Sequence, residues 1–373
     1  MRTEQQSLED TIAIAEQFKS ENDHIKSITE FGNGNVNDTY LVTLDSPENH
    51  RFILQRINTL VFRQPELIMQ NMRIVTQHAE MRLLNSILEP GRRWQLPHVL
   101  LTRSGTDHKT ANDGSFWRAL SFIDGARSFD TVQDLTHANE VGYALGLFHS
   151  IIADLPPERL ADTLKGFHIA PHYLKHYDEV AARRTASGSP ELDYCSTFVD
   201  KRRGFAPVLE KAKANGSLDL RPIHGDPKVN NVMIDFDSGQ AVSIIDLDTV
   251  KPGLVHYDIG DCLRSCCNPM GEETEDWQQV YFDLEFCSAI LKGYLSTASE
   301  FLTAIDYEYL YDAVRLIAFE LGLRFFTDYL EGNVYFKAKY SEHNLLRALV
   351  QFRLTESIEN QATEIRALIQ SLR

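Results

Sequence analysis

Three residues of this sequence are the best placed to do chemistry: Asp226, Asn231 and Asp246. Asp226 lies in Arg221-Pro-Ile-His-Gly-Asp-Pro-Lys-Val-Asn-Asn231, Asn231 follows it five positions on, and a second apolar run, Val242-Ser-Ile-Ile-Asp-Leu-Asp248, delivers Asp246. Carboxylate, amide and carboxylate in that order suit phosphoryl transfer. The first would hold an acceptor hydroxyl and take its proton late, and the other two would offer hard oxygen ligands to the magnesium ion that accompanies nucleotide phosphates. Val232-Met-Ile and Val242-Ser-Ile-Ile read as two short strands about the turn Asp237-Ser-Gly-Gln240, a hairpin that would fold Asp246 back beside Asn231. Read as structure alone, Asp226 would be a turn residue before Pro227, Asn231 a turn amide, and Asp246 and Asp248 the polar ends of a buried strand. Agreement between motif and context favours the catalytic reading.

The elements that must position these residues follow from the rest of the chain. Ile12, Ile14, Ala15 and Phe18 mark an amphipathic helix from Ser7 to Ser20, opened by Ser7-Leu-Glu-Asp10. Ile25 to Glu30 and Thr39 to Leu44 read as paired strands about Phe31-Gly-Asn-Gly-Asn35, where Gly32 and Gly34 would let backbone amides approach phosphates. An ordinary turn is the commoner explanation of such a pair. Arg51 to Ile57 supplies a third strand, Glu66 to about Leu88 a helix opened by Pro65, and Pro97–Thr102 and Ser115–Phe122 two further strands. Thr136 to Ala153 is a helix in which Gly142 and Gly146 permit close packing. The last third is helical: Tyr311 to Tyr329, a break at Gly332, and a final helix capped by Ser341 and running from about Asn344 to Leu372.

At 373 residues the chain predicts two lobes or domains rather than one small core. A net charge of −16 argues against nucleic acid and anionic membranes as partners, since both demand basic surface. The charge is spread along the chain and reads as solubility, although it would also suit a cationic substrate. Five cysteines, an odd number without a signal peptide before them, point to the cytoplasm. Cys262 and Cys266 would share one helix face as small core residues. His168 and His172 are four apart, but Pro171 between them spoils a helical metal pair, and they read as structural.

His224-Gly-Asp-Pro-Lys-Val-Asn-Asn231 with Ile245-Asp-Leu-Asp248 resembles the signature of the aminoglycoside phosphotransferase and choline kinase superfamily, relatives of the protein kinases. Within it the chain is most similar to the N-acetylhexosamine 1-kinases, over about Phe31 to Arg353. The blocks that carry the likeness are Phe31 to Tyr40, His224 to Asp248 and Gly322 to Phe336. The resemblance implies a two-lobed α+β protein-kinase-like fold. Its small β-rich lobe would span 1–122 and its mainly helical catalytic lobe 123–373, with ATP and Mg2+ as cofactors. The implied reaction is phosphorylation of the anomeric hydroxyl of an N-acetylhexosamine or related hexose by a monomer or weak dimer. Asp226 would be the base and Lys228 would steady the phosphoryl group. Asn231 and Asp246 would hold the metal, Gly32, Gly34, Gln55, Phe122 and Ile123 the nucleotide, and Asn35, Asn37, Asp226, Arg324 and Tyr335 the sugar. Asp258, in Val255-His-Tyr-Asp-Ile-Gly-Asp261, would cap a helix and brace the catalytic loop from beneath.

The sequence departs from the wider pattern at the third strand, where kinases carry a lysine and this chain has Gln55 followed by Arg56. Lys228 is then expected to supply the cationic role and Gln55 a neutral hydrogen bond, unless the strand slips by one position and presents Arg56. Asn35 stands where the hexosamine kinases would have histidine. Arg324 could instead form a helix salt bridge with Asp328, four residues on. Three other functions are compatible with the residues: a kinase for choline, an aminoglycoside or homoserine; a pseudokinase scaffold; or a metal-dependent hydrolase.

Overall fold

The computed structural model describes residues 4–32, 36–46, 50–84, 88–183 and 189–373. Its first part is a small antiparallel sheet with two helices: α1 (Glu4–Ala15), β1 (Ile25–Glu30), β2 (Asp38–Leu44), β3 (Arg51–Ile57), α2 (Pro65–Leu83), β4 (Val99–Leu100), β5 (Lys109–Thr110) and β6 (Phe116–Ser121). The strand order is β1-β2-β3-β6-β4, with β5 also paired to β6. Alternation along the strands divides the sheet into two faces. Val42, Leu44, Phe52, Leu54, Trp117 and Ala119 form one, and Ile14, Ala15 and Phe18 of α1 and the turn after it pack on them. Each of the larger of these side chains contributes about 1.5–3 kcal/mol on full burial. The opposite face carries Gln55 and Arg118 in register across β3 and β6.

The second part is larger and mainly helical. It contains β7 (Ala126–Arg127), α3 (Leu135–Ile151), α4 (Ala170–Ala181), α5 (Pro190–Arg202), α6 (Val208–Ala214), β8 (Arg221–Ile223), β9 (Val232–Asp235), β10 (Ala241–Ile244), β11 (Lys251–Gly253), α7 (Val255–Cys266), α8 (Leu284–Ala298), α9 (Ala304–Glu331), α10 (His343–Asn360) and α11 (Ala362–Leu372). The fold is thus α+β, with a small antiparallel-sheet lobe and a mainly helical larger one. The chain leaves the first sheet at Ser121 and enters a three-stranded sheet, β10-β9-β7, at Ala126. Helices α3 and α8 touch backbone to backbone. A Cβ on Gly142 would sit 2.0 Å from the Ile290 carbonyl oxygen, and one on Gly146 2.3 Å from that of Tyr294.

Several helix ends differ from expectation. α1 begins at Glu4, so Ser7 is inside it. α9 begins at Ala304 because Thr303 and Asp306 form a capping box, a signal upstream of the apolar run that predicted Tyr311. The single final helix is two, broken at Gln361, whose amide donates to the Phe282 carbonyl at 2.9 Å; Ser341 caps neither. Asp258 lies in the first turn of α7 and not at its N-cap, which is Leu254. All five cysteines are free and buried. Among the described residues no helix is long and apolar enough to cross a membrane.

Candidate active site

The loop 224–228 follows β8 and hangs from one carboxylate. Asp258, fully buried, accepts the backbone N–H groups of His224 at 2.6 Å and Gly225 at 2.8 Å, and the Nε2–H of His149 at 2.9 Å. Burial acts to raise its pKa, but His149 and His224 outweigh this and hold it below the usual carboxylate value. The bracing contact expected of Asp258 is therefore present. Gly225 has a φ of +89°, and a Cβ there would meet the Thr249 carbonyl oxygen at 2.6 Å, so the bend excludes any side chain. His224 donates from Nε2 to the Ile245 carbonyl at 2.9 Å, joining this loop to the strand that ends at Asp246. Asp226, next in the chain, remains partly exposed and forms an ion pair with Lys228 Nζ at 2.9 Å.

The hairpin expected around residues 237–240 is present, with Val232 opposite Ile244. Ile245 N–H donates to the Asn231 carbonyl at 2.8 Å, which brings Asp246 beside Asn231. Asn231 Nδ2 donates to the Asp226 carbonyl at 2.7 Å, fixing the amide so that its Oδ1 accepts from no described residue. The Asp246 backbone is left-handed, with a φ of +64°. Asp246 is exposed to solvent, but protein crowds closely around its carboxylate. That partial loss of water first, and then the charges of Asp248 and Asp226, push its pKa up to about 7. An acceptor oxygen without a donor and a carboxylate crowded by other carboxylates both fit a divalent cation. Two protein ligands suffice for magnesium when phosphates and water complete its shell. Lys228 faces the same pair: burial acts to lower its pKa, but Asp226 and Asp246 raise it overall and keep the ammonium charged.

Asp248 cannot share the metal role in this arrangement. Its Oδ1 accepts from the Arg118 guanidinium and its Oδ2 from Asn37 Nδ2 at 2.8 Å. Asn37 Oδ1 in turn accepts from Asn58 N–H at 3.0 Å, which leaves its second amide hydrogen and one carbonyl lone pair for any further contact. Gln55 is likewise engaged: its Oε1 accepts from Arg118 Nε at 3.0 Å and a second guanidinium nitrogen at 2.7 Å, and its Nε2 donates to Thr39 Oγ1 at 3.1 Å. The strand register therefore turns Gln55 toward Arg118 and Asp248 and Arg56 away from them; Arg56 is exposed, 3.9 Å from Asp38. Gly32 has the left-handed backbone of a tight turn, with a φ of +77°. Gly34 and Asn35 lie outside the described residues. Phe122 stacks edge-on with Phe31 and lies under Arg51, Ile123 packs with Met233 and Val242, and their backbone groups take no hydrogen-bond partner among the described residues.

On the other side of Asp226, the Arg324 guanidinium carbon lies 5.1 Å from the Phe167 ring, 5.1 Å from Tyr173, 5.9 Å from Tyr335 and 5.2 Å from Phe336. The salt bridge to Asp328 is not formed. Asp328 instead accepts the N–H groups of Val334, Tyr335 and Phe336 at 2.7–3.0 Å, together with the Asn344 amide at 2.9 Å, and so shapes the loop that presents Tyr335. Arg324 has no hydrogen-bond acceptor among the described residues. Burial acts against its charge, yet Tyr173, Tyr335, Glu320 and Asp226 prevail and raise its pKa, which places it within the field of Asp226. His168, read from the sequence as structural, donates from Nε2 to the Gly225 carbonyl at 2.7 Å and pairs through Nδ1 with Glu320 at 3.1 Å.

Sequence reasoning missed Tyr173 and Arg118, and it read His168 as structural without placing it under the catalytic loop. A visible signal for Arg118 was a lone charge inside Phe116-Trp-Arg-Ala-Leu120, a strand too apolar to leave a guanidinium unpaired.

A model of the phosphotransferase enzyme family known as APH matches residues 27–290, well over half of the chain. The protein belongs to this family. Solved structures agree in fold with this APH phosphotransferase. An amicoumacin kinase in complex with AMP-PNP, Ca2+ and Ami matches at a TM-score of 0.59 and 16% identity, over 96% of this chain and 94% of that one. A microcompartment-associated aminopropanol kinase matches at 0.61 and 16%, over 96% and 98%. A choline kinase from Cryptosporidium parvum Iowa II matches at 0.60 and 14%, over 98% and 99%. At such identities the likeness is one of fold.

Proposed function

We propose that this APH phosphotransferase is an ATP-dependent small-molecule kinase whose acceptor is the anomeric hydroxyl of an uncharged hexose, an N-acetylhexosamine above all. The nucleotide lies between a small lobe ending near Phe122 and a catalytic lobe beginning at Ile123, with the open backbone groups of those two residues at its base. Asp226 orients the acceptor hydroxyl and takes its proton as the new O–P bond forms. Lys228, held at 2.9 Å from Asp226, offsets charge building on the transferred phosphoryl oxygens. Asn231 and Asp246 would hold magnesium, which supplies charge neutralisation at the nucleotide phosphates. Five free, buried cysteines suit a reducing cytoplasm.

The observation that carries the choice of acceptor is Arg324. A guanidinium with no hydrogen-bond acceptor among the described residues, set among four aromatic rings and in the field of Asp226, offers planar donors to sugar oxygens or an acetamido carbonyl. It also repels the ammonium groups of choline, aminopropanol or an aminoglycoside, and it occupies the ring faces that a quaternary ammonium would need. A coupled ADP-release screen over GlcNAc, GalNAc, glucose, galactose, choline, homoserine and kanamycin tests this. Turnover with the uncharged sugars is expected, and turnover confined to the amines would overturn it.

A further inference from the structure

The sheet lacks the lysine that a phosphate site of this kind draws from its third strand, and the structure shows what stands there. Gln55 faces Arg118, directly opposite on β6. Arg118 is 1% exposed, the largest of the fully buried side chains. Its Nε and one terminal nitrogen donate to Gln55, the same terminal nitrogen donates to Asp248, and the other terminal nitrogen lies 3.7 Å from Met72 Sδ on α2. Asp248 is itself 2% exposed and belongs to the other lobe, two residues beyond Asp246.

Further ties converge on the same turn. Asn37, between β1 and β2, holds the second oxygen of Asp248. Thr163 Oγ1 donates to the Asp248 carbonyl at 3.0 Å, and Asn71 of α2 donates to the Val250 carbonyl at 2.8 Å. The turn so gripped begins with Asp246 in a left-handed conformation that a non-glycine residue adopts only when its surroundings hold it there. We infer that Arg118 is a positioning residue: through Asp248 it fixes the turn that aims the Asp246 carboxylate at the nucleotide-bound metal, linking the small sheet to the catalytic lobe. The inference rests on the kinase reading of Asn231 and Asp246 given above.

The chemistry explains the residue types. The guanidinium stays charged when buried, and its rigid, planar set of donors holds the Asp248 carboxylate and the Gln55 amide oxygen in one fixed arrangement. With both Asp248 oxygens occupied, Asp246 is left as the acid free to bind metal.

The test is ATP titration, by calorimetry or a fluorescent analogue, with and without MgCl2, on wild type, Arg118→Met, Asp248→Asn, the double variant and Asp246→Ala. The gain in ATP affinity that MgCl2 brings should fall by about 10- to 100-fold in each single variant, the cost typical of groups that orient a metal ligand. The double variant should be no worse than either single, since the two residues act as one unit. If a stranded charge unfolds a single variant, the double variant, which strands none, carries the test. A magnesium gain kept in the folded double variant but lost in Asp246→Ala would overturn the role of Arg118 alone. A gain kept in every variant, Asp246→Ala included, would overturn the functional reading and this inference with it.

Discussion

Replacing Arg324 by alanine should do two opposite things to binding. The guanidinium forms no ion pair among the described residues, so its removal leaves no buried carboxylate stranded, and the stability lost is that of the ring contacts, about 0.5–2 kcal/mol. The acceptor, by contrast, loses charge-assisted hydrogen bonds worth about 1.5–3 kcal/mol. That corresponds to a fall of about 10- to 150-fold in kcat/KM for the sugar, with ATP affinity unchanged. At the same time Phe167, Tyr173, Tyr335 and Phe336 are freed to face one another around a vacated cation position, the arrangement that binds quaternary ammonium groups. Arg324→Ala should therefore bind choline or tetramethylammonium more tightly than wild type does. Coupled kinetics for the sugar and calorimetry for choline would measure both effects. Unchanged sugar kinetics in a folded Arg324→Ala protein, or loss of the fold itself, would refute the reasoning.

Two further predictions concern the support of Asp226. Gly225→Ala places a Cβ 2.6 Å from the Thr249 carbonyl oxygen at a φ of +89°, so the loop must shift; kcat should drop by about a hundredfold while ATP still binds, as kinetics and ATP titration would show. His168 is buried between the Gly225 carbonyl and Glu320; burial acts to lower its pKa, but Glu320 outweighs this and the net direction is up from 6.5. A raised histidine stabilises fully below its ordinary value and loses that contribution as pH rises through its folded value. The melting-temperature advantage of wild type over a His168→Gln/Glu320→Gln variant should thus be largest at about pH 6 and shrink as pH rises. An advantage independent of pH would mean the pair is not charged.

The metal side of the site was legible because its parts are close in sequence: the strands flanking residues 237–240 set their own register, and that register alone returns Asp246 to Asn231. The third strand could be read only in part. Alternation showed that Gln55 and Arg56 face opposite sides, but not that Gln55 looks at Arg118, because pairing between β3 and β6 is a choice among distant strands. The Arg118–Asp248 pair spans 130 residues, and no local pattern encodes it. The acceptor side divides likewise. Arg324 and Tyr335 stand in one recognisable stretch, whereas Phe167 and Tyr173 reach them from a loop and helix whose own sequence gives no sign of a site. The Arg324–Asp328 bridge failed because helix spacing allows a contact that stronger partners, three backbone N–H groups, took instead.

The most direct test of the account is Asp226→Asn, measured for turnover with the best acceptor and for ATP affinity in parallel. The substitution keeps the size and polarity of the side chain and removes its ability to take a proton. The account predicts that kcat falls by about two to four orders of magnitude while the Kd for ATP with MgCl2 stays within about twofold of wild type. Turnover close to wild type would contradict it.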